Sequence, residues 1–386
     1  MKIYRVGGYV RDKLLGLDPH DCDYVVVNSS VSEMLALGFQ QIGSFFPVFL
    51  HPHSGEEYAL ARIERKQGQG HRGFAIQHQP SVTLEEDLSR RDLTINAIAE
   101  DQNQHLIDPF GGINDLKQGV LRHVSSAFVD DPLRVLRVAR FAAKFNFKVA
   151  PETLALLKQM SLSQEGATIS RERIVRELER ALGEPYSAQF FAILANTANL
   201  AVFFPNLALA LAQPTQFEHF LQDLNPPEHE TLIDNPVIGP SELVNHQRID
   251  YKFMLLAIYL CAYPDGITEV SLNKKIQKYI YKAQRLHTTL ANDLSDLEYL
   301  QLIKQLDALR NFKLFKQLST NYQAWLGGWM ADHPQRLAAL ELLEHVTGAL
   351  TIIPVQQLQE RCQNRSQLAE IILSWQLTTI HNLRKQ

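Results

Sequence analysis

The spacing of apolar residues divides this chain into two regions of different character. Up to about residue 125, short runs of β-branched and aromatic residues alternate with Gly, Pro, Asn and Asp, which is typical of strands separated by turns. From about Asp131 onward, apolar residues recur every three or four positions, which predicts amphipathic helices. The pattern therefore predicts an α+β head with a mixed β-sheet, followed by an all-α remainder.

The first region predicts five strands and one short helix. Residues from Tyr9 to Leu15 have the apolar spacing of a helix, which stops at Gly16. The strands are KIYRV (2–6), DYVVV (23–27), PVFLH (47–51), EEYALARI (56–63) and LIDPF (106–110).

The second region predicts a series of helices interrupted by one connector. The Pro-rich stretch 222–243 predicts a link between domains. The first helices are PLRVLRVARFAAKF (132–145), PETLALLKQM (151–160), RERIVRELERAL (171–182) and AQFFAILANT (188–197).

Composition narrows the class of protein. A chain of 386 residues with 45% apolar and 21% charged residues predicts a folded globular protein of two or three domains. The net charge of −4 means that a nucleic-acid partner would require locally concentrated positive charge. Cys22, Cys261 and Cys362 lie far apart, which weighs against a disulfide framework or a thiolate metal site. With no signal peptide and no apolar run near ~18 residues, we predict a cytoplasmic protein without a membrane partner.

Two aspartates, Asp21 and Asp23, are separated by one residue directly before a run of valines. Residues i and i+2 of a strand share a face, so the two carboxylates would project together. Like charges at that distance repel unless a cation lies between them, and carboxylate oxygens are ligands that Mg²⁺ accepts. Turn aspartates that lead into a strand would give the same two-residue pattern.

The preceding segment, RVGGYVRDKLLG (5–16), favours a ligand at this place. A strand enters Gly7-Gly8 and a helix follows; glycines at such a turn let backbone N–H groups approach a phosphate, which the helix N-terminus attracts. Arg11 could add charged hydrogen bonds. Neither a Walker loop nor GxGxxG is present, so the common nucleotide-binding folds are not indicated. Gly8 and Arg11 are therefore candidate nucleotide-binding residues.

The segment DDPLRVLRVARF (130–141) combines a helix start with a row of arginines. Asp131 followed by proline is typical of an N-cap with Pro at the first helical position. Arg134, Arg137 and Arg140 follow at three-residue intervals and form a polar stripe beside an apolar face. Such a stripe is typical either of a solvated face or of a surface along which an anion lies.

Together these segments resemble the nucleotidyltransferase superfamily that includes DNA polymerase beta. More narrowly, they resemble the bacterial CCA-adding enzymes, class II tRNA nucleotidyltransferases whose class includes bacterial poly(A) polymerases. The matching blocks cover roughly the first half of the chain: EEYALARIERKQGQGHRGF (56–74), LEEDLSRRDLTINAIA (84–99), DPFGGINDL (108–116), DDPLRVLRVARFAAKF (130–145) and SRERIVREL (170–178). The resemblance implies a catalytic head (1–128), a helical neck that recognises the base (129–205) and an all-helical body and tail that bind tRNA (206–386).

The resemblance also implies an activity. The enzyme would add and repair the 3′-terminal CCA of tRNA from CTP and ATP, without a nucleic-acid template, and release pyrophosphate. Asp21 and Asp23 would be catalytic and bind two Mg²⁺ ions, one lowering the pKa of the attacking hydroxyl and one holding the triphosphate. Glu57 is a candidate third carboxylate, because EEYALAR predicts a strand that could lie beside the strand of the Asp21–Asp23 pair (the DxD pair). Glu56 would face the other way, and an exposed edge-strand glutamate fits the pattern nearly as well.

By the same resemblance, Asp131 and Arg134 would read the base, and Arg137 and Arg140 would help to hold the nucleotide. Cytosine and adenine each present an exocyclic amine beside a ring-nitrogen acceptor, so one carboxylate and one guanidinium can pair with either base. Guanine and uracil present the reverse arrangement, and each mismatched buried polar group costs about 1–3 kcal/mol. One Asp–Arg pair would thus accept C and A and refuse G and U.

Two further segments of the head carry predictions. In RRDLTINA (90–97), Arg91 would contact the sugar and triphosphate and Asp92 would orient an arginine or a ribose hydroxyl; the letters alone are typical of a charged helix start and an amphipathic run. The basic, glycine-rich segment 64–74, which includes Arg72, would form a flexible loop that helps the pocket switch from C to A. A mobile hairpin loop without that role fits the composition equally.

In the helical region, the partner would be tRNA, held through its acceptor and T arms by shape and phosphate contacts. Lys274, Lys278 and Lys282 share a helix face beside Arg285, although a basic solvated face is the commoner explanation. We predict no obligate protein partner and a form without the HD phosphohydrolase domain that some relatives carry. The alternatives are a poly(A) polymerase of the same family and a catalytically silent RNA-binding protein.

Overall fold

A computed structural model describes residues 1–19, 22–42, 47–66, 74–224, 245–328, 334–360 and 365–385. The chain forms two compact units, Met1–Phe203 and Phe204–Gln386. A mixed sheet lies in the first unit and the described part of the second is helical, which confirms the predicted α+β fold class. Asp21, Cys362 and most of the predicted connector lie outside the described residues. The three-part division into head, neck and body stays a prediction.

The strands of the first unit match the predicted ones closely at its N-terminus. KIYRV and DYVVV are strands over their whole predicted length, whereas the other predicted strands are shorter. The strands are β1 (Lys2–Val6), β2 (Asp23–Val27), β3 (Gln40–Ile42), β4 (Val48–Leu50), β5 (Glu57–Leu60), β6 (Ile63–Lys66), β7 (Phe74–Gln77), β8 (Ala99–Glu100), β9 (Leu106–Ile107), β10 (Val120–Leu121) and β11 (Lys148–Val149).

Within the described residues, seven strands form one sheet in the order β3-β4-β5-β2-β1-β8-β9. β1 is antiparallel to its neighbours β2 and β8, while β2 and β5 are parallel, so the sheet is mixed. β6 and β7 form a separate antiparallel hairpin, and β10 pairs with β11 in parallel. The hairpin strands flank residues 67–73, so the predicted loop with Arg72 lies outside the described residues.

The helices that were predicted in the first unit begin and end within one residue of their predicted bounds. RRDLTINA forms a 3₁₀ turn at Thr94–Asn96 that leads into β8, so the reading as a helix start with an amphipathic run is wrong. The helices are α1 (Gly8–Leu14), α2 (Val31–Ala36), α3 (Leu84–Ser89), α4 (Gly112–Gln118), α5 (Leu133–Phe145), α6 (Pro151–Ser161), α7 (Arg171–Gly183), α8 (Ser187–Asn196) and α9 (Asn199–Phe203). Of these helices, α2, α3, α4 and α9 were not predicted.

Each face of the large sheet has its own apolar cluster. Val26 and Leu60 belong to the cluster that includes Met34 of α2. Val6 and Val25 belong to the cluster that includes Leu88 of α3. Since alternate strand residues point to opposite faces, the side chain at the start of β2 lies on the second face, the one covered by α3.

Helix α5 packs against α7 and α8 and is almost entirely buried. Its start lies one residue later than predicted: the helix begins at Leu133, and Pro132 occupies the cap position. Asp131 nevertheless acts as a cap, because its Oδ1 accepts a hydrogen bond from the Leu133 N–H at 3.1 Å. The cap fixes where the carboxylate of Asp131 lies relative to the helix.

An ion pair connects α5 to the segment before β8. Arg137 donates to Asp92 Oδ2 from both Nε and Nη2 at 2.7 Å, and Asp92 also accepts from the Asn96 side chain at 2.9 Å. Burial opposes ionisation of Asp92, but the Arg137 charge outweighs it and holds the pKa of that carboxyl below its ordinary value. The pKa of Arg137 is raised in turn, chiefly by the charge of Asp92. Asp92 thus orients an arginine, one of the two roles predicted for it.

The described part of the second unit consists of helices, as predicted. On α14, Tyr279, Ile280 and Ala283 are buried, while Lys274 and Lys278 lie on the exposed side. The helices are α10 (Pro205–Ala210), α11 (Pro214–Leu224), α12 (Asn245–Tyr259), α13 (Ile267–Val270), α14 (Lys274–Thr289), α15 (Asp296–Gln305), α16 (Phe312–Gly328), α17 (Pro334–Leu350), α18 (Val355–Gln359) and α19 (Arg365–Arg384). The absence of an HD phosphohydrolase domain stays a prediction.

Across the described residues of both units, no helix combines the length and the apolar character that crossing a bilayer requires.

Asp92→Asn should destabilise the first unit in a pH-dependent way. The variant leaves the Arg137 charge without its buried partner, so we expect a loss of about 3 kcal/mol in the free energy of unfolding at pH 7. Because the pKa of Asp92 is lowered by folding, its contribution is present above the unfolded value of about 3.9 and is lost as the pH falls through the folded pKa. The difference from wild type should therefore shrink below about pH 4.

Urea unfolding between pH 7 and pH 3 measures this difference. Glu85→Gln is the matched control, because it removes one negative charge from an exposed side chain of α3 and should change the unfolding free energy by less than about 0.5 kcal/mol. A difference for Asp92→Asn that stays constant over the whole pH range would show that the ion pair does not contribute as described.

Candidate functional site

A cavity of about 610 Å³ opens in the first unit where β1 ends and β2 and β5 begin. Among the described residues, its lining is rich in charge of both signs, with arginines in excess over carboxylates. The arginines are Arg11, Arg62, Arg90, Arg91, Arg134, Arg137 and Arg173, and the carboxylates are Asp23, Glu57, Asp92 and Asp131. This excess of positive charge suits a ligand with several negative charges, such as a polyphosphate.

Two of these carboxylates lie side by side at strand ends. The antiparallel register places Asp23 opposite Val6, next to the glycine turn. The parallel register pairs Tyr24 with Tyr58, so Glu57 lies beside Asp23 and on the same face of the sheet. Neighbouring strands are about 4.8 Å apart, a distance at which two exposed carboxylates can share one cation. The expectation that EEYALAR lies beside the DxD strand is thereby confirmed.

Two further acidic residues of these segments, Glu56 and Asp21, have different outcomes. Glu56 points to the opposite face, where it accepts a hydrogen bond from the Tyr24 hydroxyl at 3.3 Å, as predicted. Asp21 lies outside the described residues. Over the described residues, no group of three or more His, Cys, Asp and Glu side chains is arranged to hold a metal ion.

In the Gly7-Gly8 turn, the position that a side chain could not occupy is Gly7 rather than Gly8. Gly7 has φ +69°, and a Cβ there would lie 2.8 Å from Arg91 Nη1. Its N–H donates to the Ile98 carbonyl at 3.2 Å. At Gly8 an added Cβ would meet Arg11 Nη2 at an ordinary 3.6 Å. Gly8 does line the cavity and begins α1, where N–H groups have no intrahelical acceptor, so its predicted contact with a nucleotide stays a prediction.

Arg11 lines the cavity but is only 6% exposed. Its guanidinium donates to Asn96 Oδ1 at 2.5 Å and to Asp12 Oδ1 at 2.7 Å, and it lies over the Phe141 and Phe145 rings. Burial lowers the pKa of Arg11, and the Asp12 charge opposes that shift. Arg11 therefore forms part of the cavity wall and connects α1 to α5.

A buried carboxylate holds two further arginines of the cavity lining. Asp87 is fully buried and accepts from Arg90 Nη2 at 2.6 Å and from Arg91 Nη2 at 3.4 Å. Burial acts to raise the pKa of Asp87, but the two guanidinium charges outweigh it and keep the pKa lowered. Arg91 Nε is buried and has no hydrogen-bond acceptor among the described residues, so it is a donor that a ligand in the cavity could satisfy.

The two residues predicted to read the base both line the cavity and are both held in place. Asp131 uses Oδ1 for the helix cap, and its Oδ2 accepts from Arg173 Nη2 at 3.0 Å. Arg134 donates to the Ala127 carbonyl at 2.8 Å and also to the Arg90 carbonyl. A guanidinium has five N–H donors and a carboxylate has about four acceptor sites, so both groups retain capacity for a ligand.

The structure places Arg140 away from the cavity. Its side chain is buried and donates to Glu177 Oε2 at 2.6 Å, which connects α5 to α7. Three helical residues turn the chain by 300°, so a three-residue repeat drifts by about 60° per step. Arg134 and Arg137 therefore still face the cavity, whereas Arg140 has rotated toward α7.

Sequence reasoning missed several lining residues. Arg173 is three residues into a matched segment to which no role had been assigned, and Arg62 follows β5. The contact between Arg173 and Asp131 joins positions 42 residues apart, so no local pattern could reveal it. Cys22 and Cys261 are free thiols, and Cys362 lies outside the described residues.

Two family models match the chain. The model of the poly A polymerase head domain matches residues 3–122, and the model described as "Probable RNA and SrmB- binding site of polymerase A" matches residues 146–211. The first match contains the Gly-Gly turn, the DxD pair and Glu57, while the second begins directly after α5.

Solved structures of CCA-adding enzymes share the fold of this chain. The enzyme from Bacillus stearothermophilus in complex with CTP has a TM-score of 0.63 at 23% identity and covers 98% of this chain and 89% of its own. The enzyme from Thermotoga maritima complexed with tRNA has a TM-score of 0.61 at 20% identity and covers 100% and 91%.

Curated relatives are more similar in sequence. The multifunctional CCA protein of Pseudomonas fluorescens is 54% identical over 222 residues, a stretch that spans 57% of this chain and about half (54%) of that relative. The multifunctional CCA protein of Nitrosococcus oceani is 43% identical over 341 residues, which cover 82% of both chains. This chain therefore belongs to the family of multifunctional CCA proteins and CCA-adding enzymes, which are nucleotidyltransferases.

Proposed function

We propose that the protein is a CCA tRNA nucleotidyltransferase that adds and repairs the 3′-terminal CCA of tRNA from CTP and ATP, without a nucleic-acid template. The observation that carries the proposal is the composition of one cavity. Its lining includes the strand-end carboxylates Asp23 and Glu57, a set of arginines, and the pair Asp131 and Arg134 at the start of α5. Nucleotidyl transfer uses metal-binding carboxylates and cationic phosphate contacts, and a choice of base without a template adds the need for a donor and an acceptor that contact the base.

The strand-end carboxylates suit magnesium, which we propose as the metal. Asp23 and Glu57 are exposed on the same face of adjacent parallel strands and offer the hard oxygen ligands that Mg²⁺ binds. Asp21, two residues before Asp23, would complete a two-metal site. When bound, the metal would supply the positive charge that lowers the pKa of the tRNA 3′-hydroxyl and offsets the charge of the departing pyrophosphate.

The arginines would hold the triphosphate. Arg91 offers its buried Nε, and the neighbouring Arg90 is held in place by Asp87. Arg137 lines the same cavity and keeps two-point contact with Asp92, so it can add charge without changing its orientation. Guanidiniums held in this way contact phosphate oxygens without a further cost of ordering their side chains.

Base choice would depend on Asp131 and Arg134. The carboxylate would accept the exocyclic amine of C or A, while the guanidinium would donate to the adjacent ring nitrogen. Asp131 accepts from the Leu133 N–H and Arg134 donates to the Ala127 carbonyl, so the two side chains present a fixed acceptor and a fixed donor to the cavity. Arg140 would act indirectly, because it holds α7 through Glu177 instead of facing the cavity.

The RNA partner would be tRNA, held by its acceptor and T arms along the helical second unit. Support for this surface comes from the exposed lysines Lys274 and Lys278 on α14. The family model for RNA binding matches residues 146–211, nearly all of which belong to the first unit, so it supports an RNA partner but not its place on the second unit. We also propose that the enzyme acts in the cytoplasm. The free thiols Cys22 and Cys261 fit a reducing compartment.

The test is an addition assay with tRNA that lacks its CCA end. The proposal expects three added nucleotides, a requirement for both CTP and ATP, and no extension with UTP or GTP. Because the chain matches the model of the poly A polymerase head domain, a poly(A) polymerase is the second candidate function. Long A tracts with ATP alone would favour that candidate and exclude CCA addition as the main activity.

Asp23→Asn should abolish transfer while tRNA still binds. The change removes the negative charge beside Glu57 and keeps the size of the side chain, so we expect kcat/KM for CTP to fall by at least about 100-fold. Single-turnover addition and a tRNA gel-shift measure the two properties separately. Turnover within threefold of wild type would contradict the metal assignment, and Glu85→Gln again serves as the charge control.

Asp131→Ala should weaken the preference for C and A over U and G. The variant removes the acceptor for the exocyclic amine, so the ratio of kcat/KM for CTP to that for UTP should fall by about tenfold or more. Competition between labelled CTP and UTP on the same tRNA measures the ratio directly. An unchanged ratio would contradict the proposed basis of base choice.

A further inference from the structure

Arg173 lies at the cavity next to the proposed base-reading carboxylate. It is in the first turn of α7, about 30% of its side chain is exposed, and it lines the cavity. Its Nη2 donates to Asp131 Oδ2 at 3.0 Å, while Asp131 Oδ1 accepts from the Leu133 N–H. The carboxylate is therefore fixed from two sides, by the helix start and by α7.

The position of Arg173 is itself fixed by a buried ion pair. Arg140 on α5 donates to Glu177 Oε2 at 2.6 Å, and the two side chains are only 10% and 5% exposed. Glu177 lies one helical turn beyond Arg173 on the same helix. This pair holds α7 against α5, so the Arg173 guanidinium stays within reach of Asp131.

The chemistry of Arg173 is opposite to that of its partner. A guanidinium has donors only, whereas uracil O4 and guanine O6 are acceptors at the edge where cytosine and adenine carry an amine. An Arg173 that was not bound to Asp131 would therefore suit the bases that the cavity has to refuse. While the ion pair exists, Arg173 Nη2 is bound to Asp131 and the guanidinium is held in that orientation, so it is Asp131 that faces the cavity, as an acceptor.

We propose that Arg173 is a specificity-determining residue that acts through Asp131, an inference that rests on the proposed function. It orients the carboxylate toward the amine of C or A, and Asp131 in turn withholds the guanidinium from the carbonyl of U or G. When Asp131 is removed, Arg173 donates to that carbonyl and admits the wrong nucleotide. The acceptance of UTP by Asp131→Ala is then a property of Arg173.

A double-mutant cycle on CCA addition tests this proposal. Addition of CTP and of UTP to tRNA lacking CCA is measured for wild type, Arg173→Ala, Arg173→Lys, Asp131→Ala and the Asp131→Ala/Arg173→Ala double variant. We expect Arg173→Ala to lower the CTP:UTP ratio of kcat/KM by about tenfold, chiefly through a higher KM for CTP, and Arg173→Lys to restore most of it. The double variant should lose at least about tenfold of the UTP addition that Asp131→Ala gains.

Arg176→Ala is the matched control, because Arg176 is an exposed arginine of the same helix and is not among the cavity-lining residues. It should leave the CTP:UTP ratio unchanged. The proposal is overturned if the double variant adds UTP as well as Asp131→Ala does, or if Arg173→Ala and Arg176→Ala have equal ratios. Both results leave CCA addition by the wild type intact, so they differ from failure of the proposed function, in which the wild type itself adds no CCA and this inference falls as well.

Discussion

The cavity depends on the pairing of its arginines with acidic groups and carbonyls of the protein itself. Guanidiniums gathered around one space repel each other, and that repulsion grows where burial removes water. In the structure, individual carboxylates offset this repulsion. Asp87 pairs with Arg90 and Arg91, Asp92 pairs with Arg137, and Asp131 pairs with Arg173. A positive cavity can therefore exist before any polyanion enters it.

This pairing changes the interpretation of the arginine stripe on α5. From the sequence, three guanidiniums in a row were typical either of a solvated face or of a surface along which an anion lies. In the structure that anion is internal: Arg137 has Asp92, and Arg140 has Glu177. Arg134 instead donates to two backbone carbonyls. Self-repulsion alone was therefore weak evidence for a ligand. The stronger evidence is the set of donors and acceptors that still faces the cavity.

The sequence was sufficient to predict those strands and helices whose pattern of residues is local. β1 and β2 have their predicted bounds because each is a short run of β-formers between turns, and α5 is clear from its apolar period. The helix start that was given as an alternative for RRDLTINA is wrong, because a short apolar run fits a helix and a buried turn equally well. Glu57 could be placed beside Asp23 only by supposing that its strand is a neighbour of β2, which the parallel register of β2 and β5 confirms.

The remainder of the site could not be read from the sequence because it depends on contacts between distant segments. Gly7 has positive φ, and a Cβ there would also collide with Arg91, which lies far along the chain. Arg173 reaches Asp131 only because α7 packs on α5. Local patterns therefore identified the chemical groups, whereas the tertiary structure determines which of them can act on one ligand.

Rigid pairing also fits the selection that we propose for this cavity. Cytosine and adenine differ in size, so a cavity that admits both cannot reject guanine and uracil by shape. Rejection of guanine and uracil has to come from the order of donors and acceptors along the base edge. The protein can distinguish that order only if the side chains that contact the base are held in one orientation. A cap bond and an ion pair fix Asp131, and two backbone carbonyls fix Arg134. The ion pairs that make the positive cavity stable are thus the contacts that could make it selective.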